Sequence, residues 1–164
     1  MVHDINKCRV CNATNNAMIL ALTSFGFAVL GLIAGYVQEP VMYPLLSMLT
    51  PISVLHHSYG TDPTVHPAGF TIARADRVLA HIIPLLVFIR AAHVGPIARA
   101  ITRLSVAYIA IVYKCGIDVA RVYRLDEYPA AHMSIHMVSF IGMSAYLYGW
   151  YRAHRPRYPY GIEG

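Results

Sequence analysis

Apolar residues in this chain fall into long blocks broken by short polar stretches, and five blocks stand out. Ala17 to Gln38 carries no charge for 22 residues, the length that crosses a bilayer core. Pro40 to Ser58 follows, 19 residues with Pro44 and Pro51, which predicts a kinked helix. Ser58 to Thr71 reads as a loop rich in Gly, Pro and His. Ile72 to His93 is the third block. Its uncharged stretch between Arg77 and Arg90 is only 12 residues, a rise of about 18 Å against a core of about 30 Å. Spanning there requires Arg74, Arg77 and Arg90 to reach outward along the lipid surface. Gly95-Pro96 marks a turn. Ile97 to Ile117 is the fourth block, with Arg99 and Arg103 in its first two turns, and Asp118 to Pro129 is a charged loop. Ala130 to Tyr151 is the fifth block, and His132 and His136 are its only ionisable groups before Tyr146.

This pattern predicts an all-α fold, a polytopic helical bundle of about five membrane spans over residues 17–151. A polar N-terminal tail, 1–16, and a basic C-terminal tail, 152–164, flank it. Met1 to Asn16 has no apolar core and does not read as a cleaved secretory signal. With five crossings, the end of block 2, the start of block 3 and the start of block 5 share one membrane side. Seven cationic residues fall on the side of the N-terminus and six on the other, so the positive-inside rule assigns no orientation.

Composition agrees with a membrane protein. Of 164 residues, 57% are hydrophobic and 13% charged, half the usual charged fraction of about 25%. The net charge of +5 is spread over many loops, which suits anionic lipid headgroups and speaks against a nucleic-acid partner. Cys8-x-x-Cys11 is half a metal site or a disulfide, with no second pair to complete a zinc ribbon. Tyr146, Tyr148, Tyr151, Tyr158 and Tyr160, with Trp150, read as an interfacial aromatic belt.

The chemistry-bearing residues sit at block ends. Block 2 closes on Ser53-x-x-x-His57, block 3 opens with Asp76, and block 5 opens with His132-x-x-x-His136. Histidines four apart share one helix face and can reach one metal. With His57 they make three nitrogen ligands, the arrangement of a catalytic zinc site that keeps one position open. Asp76 can hold or deprotonate a water there, and Ser53 sits one turn before His57. Plainer readings stand beside these. His132 and His136 can be solvated interfacial residues. Ser53 can bond back to its own preceding turn, and Asp76 can belong to a headgroup-level charge cluster with Arg74 and Arg77. His56, about 100° round the helix from His57, reads as a surface or supporting residue, and His81 as a packed polar one. A haem is disfavoured, because His132 and His136 share a face.

The ordered set resembles the CREST superfamily, which includes alkaline ceramidases, adiponectin and progestin receptors, post-GPI-attachment lipid remodelling proteins and myomaker-like proteins. The resemblance is carried by Ser53-Val-Leu-His-His57, by Ala75-Asp76-Arg77-Val-Leu-Ala80 and by Tyr128 to His136, and covers roughly Pro51 to Tyr151. Members usually have seven spans. Loss of one hairpin between the fourth span and the last would preserve parity. The resemblance implies zinc on His57, His132 and His136, with Asp76 and Ser53 about its water, and hydrolysis of a lipid amide or ester. It also admits a receptor or fusion-type member without turnover. The rival reading is an accessory subunit of a large membrane assembly, such as a mitochondrial respiratory or ATP synthase complex, keeping the metal site as a relic. In that case partner subunits would hold the two tails. Membrane lipids are the expected partners in either case, in an ER/Golgi or mitochondrial inner membrane.

Overall fold

The computed structural model describes residues 5–59, 68–117 and 128–155. The side chains of Cys8 and Cys11, most of the charged loop after Ile117, and Tyr158 and Tyr160 lie outside the described residues. Every element described is helical. α1 runs Ile5–Tyr36, α2 Met42–Tyr59, α3 Gly69–Arg90, α4 Pro96–Ile111 and α5 Tyr128–His154. A 3-10 turn, Ala91–His93, follows α3, and a π-helical turn, Val112–Ile117, ends α4. The five apolar blocks thus become five helices, with α1 already wound through much of the polar N-terminal segment.

Local chemistry sets the boundaries. Gln38 at φ 54° puts the chain into the left-handed region after α1. Glu39 N–H then reaches back to the Ala34 carbonyl at 2.9 Å, the wrap-around bond that closes many helix C-termini. The carboxylate of Glu39 caps the next helix: Oε2 accepts the N–H groups of Val41, at 2.9 Å, and of Met42. Pro96 takes the first position of α4, where its missing N–H costs nothing. Arg99 Nη2 donates to the Ala92 and Val94 carbonyls, 3.1 Å each, tying down the turn before α4.

The helices pair α1 with α2, α2 with α3, α1 with α5 and α4 with α5, while α3 meets α4 and α5 only lightly. Leu30, Met42, Leu46, Tyr146 and Leu147 fill the shared core. Glycines let α4 and α5 approach closely. A Cβ at Gly142 would meet the Ser105 Cβ at 2.5 Å, and one at Gly149 the Ala98 Cβ at 2.7 Å. Thr102 Oγ1 donates to the Gly142 carbonyl across this contact at 3.2 Å. Small residues at a helix crossing and a hydroxyl bonded across it are how helices associate when lipid surrounds them.

Two helical stretches among the described residues are long and apolar enough to cross a membrane, Met18–Tyr36 and Pro96–Cys115. The other three helices are more polar. α3 holds Arg74, Asp76, Arg77 and Arg90, and α2 and α5 hold histidines, serines and tyrosines.

Two expectations change at the end of the bundle opposite the histidines. Arg90 does not reach outward. Its Nε donates to Glu39 Oε1 at 2.8 Å and to the Tyr146 hydroxyl at 3.1 Å, and its guanidinium lies 4.9 Å from the centre of the Trp150 ring. Tyr146 is no belt residue. It is fully buried and donates to Glu39 Oε1 at 3.0 Å. A buried glutamate needs its charge answered, and both side chains turn inward to do so. Tyr148 and Tyr151 are exposed, as a belt requires.

Candidate metal centre

The end of α2, the start of α3 and the start of α5 meet at one end of the bundle. There His57, His132 and His136 each present a ring nitrogen, all within 4.8 Å of one another. His57 and His136 are buried and His132 half-buried. Ring centres are 5.0 Å apart for His57–His132, 5.4 Å for His57–His136 and 5.0 Å for His132–His136. Three imidazoles on one tetrahedral ion, with metal–nitrogen bonds of about 2.0–2.1 Å, have ring centres about 5.2 Å apart. The observed spacing matches. The nitrogens would close to a separation of about 3.3 Å by inward movements of under about 1 Å each.

Two further observations fit a metal. His57 Nε2 is buried and makes no hydrogen bond among the described residues. A buried polar atom without a partner is costly and asks for a ligand. His136 is held in the form a metal needs. The Thr23 hydroxyl gives its hydrogen to the Leu20 carbonyl at 2.9 Å, so its oxygen accepts from His136 Nδ1, also at 2.9 Å. With Nδ1 protonated, Nε2 of a neutral His136 carries the free lone pair.

Asp76 and Ser53 lie in the same pocket, and both are buried. Asp76 Oδ2 is 2.8 Å from His56 Nδ1. Ser53 Oγ lies 3.1 Å from Ser24 Oγ. The structure therefore gathers all five residues singled out in the sequence, with Asp76 turned inward. It adds three that sequence reasoning missed or set aside. Thr23 and Ser24 come from α1, where hydroxyls inside an apolar span look like ordinary back-bonding residues, as both also are. His56 belongs to the cluster by position, beside Asp76 and His57. His81 stays outside it: exposed, its Nδ1 on the Arg77 carbonyl at 2.6 Å and its ring edge-on to Tyr113.

A cavity of about 530 Å³ extends from this cluster between α3 and the α4–α5 pair. Ser53, His132 and His136 stand at its head, and Phe88, Thr102 and Gly142 further down. From Asp76 to Phe88, both on its wall, α3 rises about 18 Å. Leu85, Phe88, Ala80 and Ala110 line it and are exposed, so it opens sideways along the seam where α3 packs lightly.

The chain matches no protein-family model, no curated protein and no solved structure. The CREST resemblance therefore rests on its residues alone.

Proposed function

We propose that the protein is an integral membrane, zinc-dependent hydrolase of a lipid amide or ester, a short CREST-like five-span bundle. The observation that carries this reading is the three convergent imidazoles, with a His57 Nε2 that has no partner among the described residues, at the head of a laterally open apolar cavity. The volume lies in the usual range for small-molecule sites, about 300–1,000 Å³. The length of about 18 Å is close to the depth of one leaflet, half of a ~30 Å core, and suits one acyl chain laid between α3 and α4.

His57, His132 and His136 would hold the ion. Bound zinc would supply a Lewis acid that polarises the scissile carbonyl and acidifies water. Zinc is preferred to softer or harder ions because an all-imidazole, neutral donor set suits it. Asp76 then accepts the proton of the attacking water and delivers it to the leaving amine or alcohol. Ser53 directs a hydroxyl into the same space, where it orients water or steadies the developing oxyanion. The apolar walls keep bulk water away from the acyl chain.

Elemental analysis and lipid hydrolysis by the purified protein test the reading together. One zinc per chain is expected. Asp76→Asn, saturated with zinc, should lose turnover by about 10²–10⁴-fold, the usual contribution of a general base. Absence of stoichiometric metal, or full activity in Asp76→Asn, refutes the assignment. Migration of the native chain only within a very large complex, with no hydrolysis, supports the subunit reading instead.

A further inference from the structure

Asp76 stands between two exposed arginines, Arg74 and Arg77, and charge alone would draw its carboxylate outward. It faces inward instead and is 7% exposed. The group that meets it there is His56, whose Nδ1 is 2.8 Å from Oδ2. His56 precedes His57 on α2, and two such neighbours start about 100° apart on a helix. Their rings nevertheless stack, with centres 4.9 Å apart and planes 21° from parallel. One imidazole therefore lies flat on a ligand ring and holds the carboxylate beside it.

We propose that His56 is a positioning residue of the metal centre: its Nδ1–H, donated to Asp76 Oδ2, holds the carboxylate toward the three imidazoles. The inference rests on the metal-centre reading above and adds a residue outside the five positions of the CREST pattern. A hydrogen bond to an ionised carboxylate is short and directional. It removes the rotational freedom that would let Asp76 swing to the arginines. A carboxylate useful beside a metal must be held to within about 0.5 Å, and groups that orient ligands and their neighbours typically change metal affinity about 10–100-fold.

A bond between α2 and α3 can also serve only to join helices, so the test must separate the two roles. Four variants are needed: His56→Ala, His56→Asn, Asp76→Asn, and the His56→Ala/Asp76→Asn double variant. Each is loaded with Co²⁺ for its visible spectrum, then titrated with Zn²⁺ against a chelator. Thermal unfolding of each metal-free form checks the fold. His56→Ala should weaken zinc binding by about 10-fold or more and alter the cobalt bands. His56→Asn places an amide N–H where Nδ1–H was and should stay within about 3-fold of wild type. The double variant should bind no more weakly than Asp76→Asn alone, because His56 acts through Asp76. Losses that multiply in the double variant, or equal losses in His56→Ala and His56→Asn with an unchanged cobalt spectrum, overturn the proposal while leaving the metal centre standing. A wild-type protein that takes up neither metal overturns both.

Discussion

Replacing Glu39 by glutamine perturbs the bundle at the end away from the histidines. The Glu39 carboxylate is wholly buried and takes four donors. Oε1 accepts from Arg90 at 2.8 Å and from Tyr146 at 3.0 Å, and Oε2 accepts the backbone N–H groups of Val41 and Met42. A glutamine has one acceptor oxygen in that space. Its NH₂ must face either Arg90 and Tyr146 or the two amides, donor against donor. Arg90 also loses its counter-charge while still partly buried against Trp150. Removing one partner of a buried ion pair costs about 3–5 kcal/mol. For a chain of this size each kcal/mol moves the midpoint by about 2–4 °C, so Glu39→Gln should unfold about 6–20 °C lower.

Thermal unfolding in mild detergent, followed by helical circular dichroism, measures this. Glu39→Gln/Arg90→Met removes both charges and should cost less than the sum of the single variants, because the second change relieves the unpaired group. Zinc affinity should be unchanged while the protein is folded, since α2 rises about 22 Å from Met42 to His57. A midpoint shift below about 2 °C, or strict additivity in the double variant, would show that this cluster does not hold α1, α2, α3 and α5 together.

Two further outcomes follow from the packing. Thr23→Val removes the acceptor for His136 Nδ1 and should weaken zinc binding about 10-fold, whereas Thr23→Ser should retain it; chelator competition reads both, and equal affinities would remove Thr23 from the site. Gly142→Val places a branched side chain where even a Cβ meets Ser105 at 2.5 Å, so α4 must move off α5 at about 1–3 kcal/mol or more, measured as a lower unfolding midpoint that Ser105→Gly partly restores.

Hydrophobic blocks made the five helices legible, because each block is long and bounded by turn chemistry such as Gly95-Pro96. The clustering of Ser53, His57, Asp76, His132 and His136 was legible too, since parity puts their block ends together. What stayed hidden depends on orientation. His56 looks turned away by helical phase, yet its ring reaches both His57 and Asp76. Thr23 and Ser24 carry no motif and join the cluster only through the packing of α1 on α2 and α5. Arg90 and Tyr146 read as interfacial because a sequence shows their polarity and not their partner. That partner, Glu39, sits in a two-helix turn where an acidic residue would ordinarily face solvent.

The helices that carry His57, Asp76, Arg90, His132 and His136 are those whose composition falls short of a membrane span, and on the membrane reading the two facts have one cause. A helix that supplies imidazoles, a carboxylate or a buried ion pair gives up apolar length to do so, and charged or polar groups at membrane depth persist where they have partners. Here the polar groups lie in two layers. His56, His57, His132, His136, Asp76, Ser53, Thr23 and Ser24 form one, and Glu39, Arg90 and Tyr146 the other. About 22 Å of α2 separates them, inside a core of about 30 Å. Among the described residues the buried side-chain atom of these layers left without a partner is His57 Nε2, the atom an ion would take. Outward, apolar side chains cover α1 and α4, with Leu32 72% and Ile97 77% exposed. On the membrane reading lipid lies against α1 and α4, while the groups of the two layers turn to one another. The light contact of α3 with α4 is the side on which the cavity opens between the two.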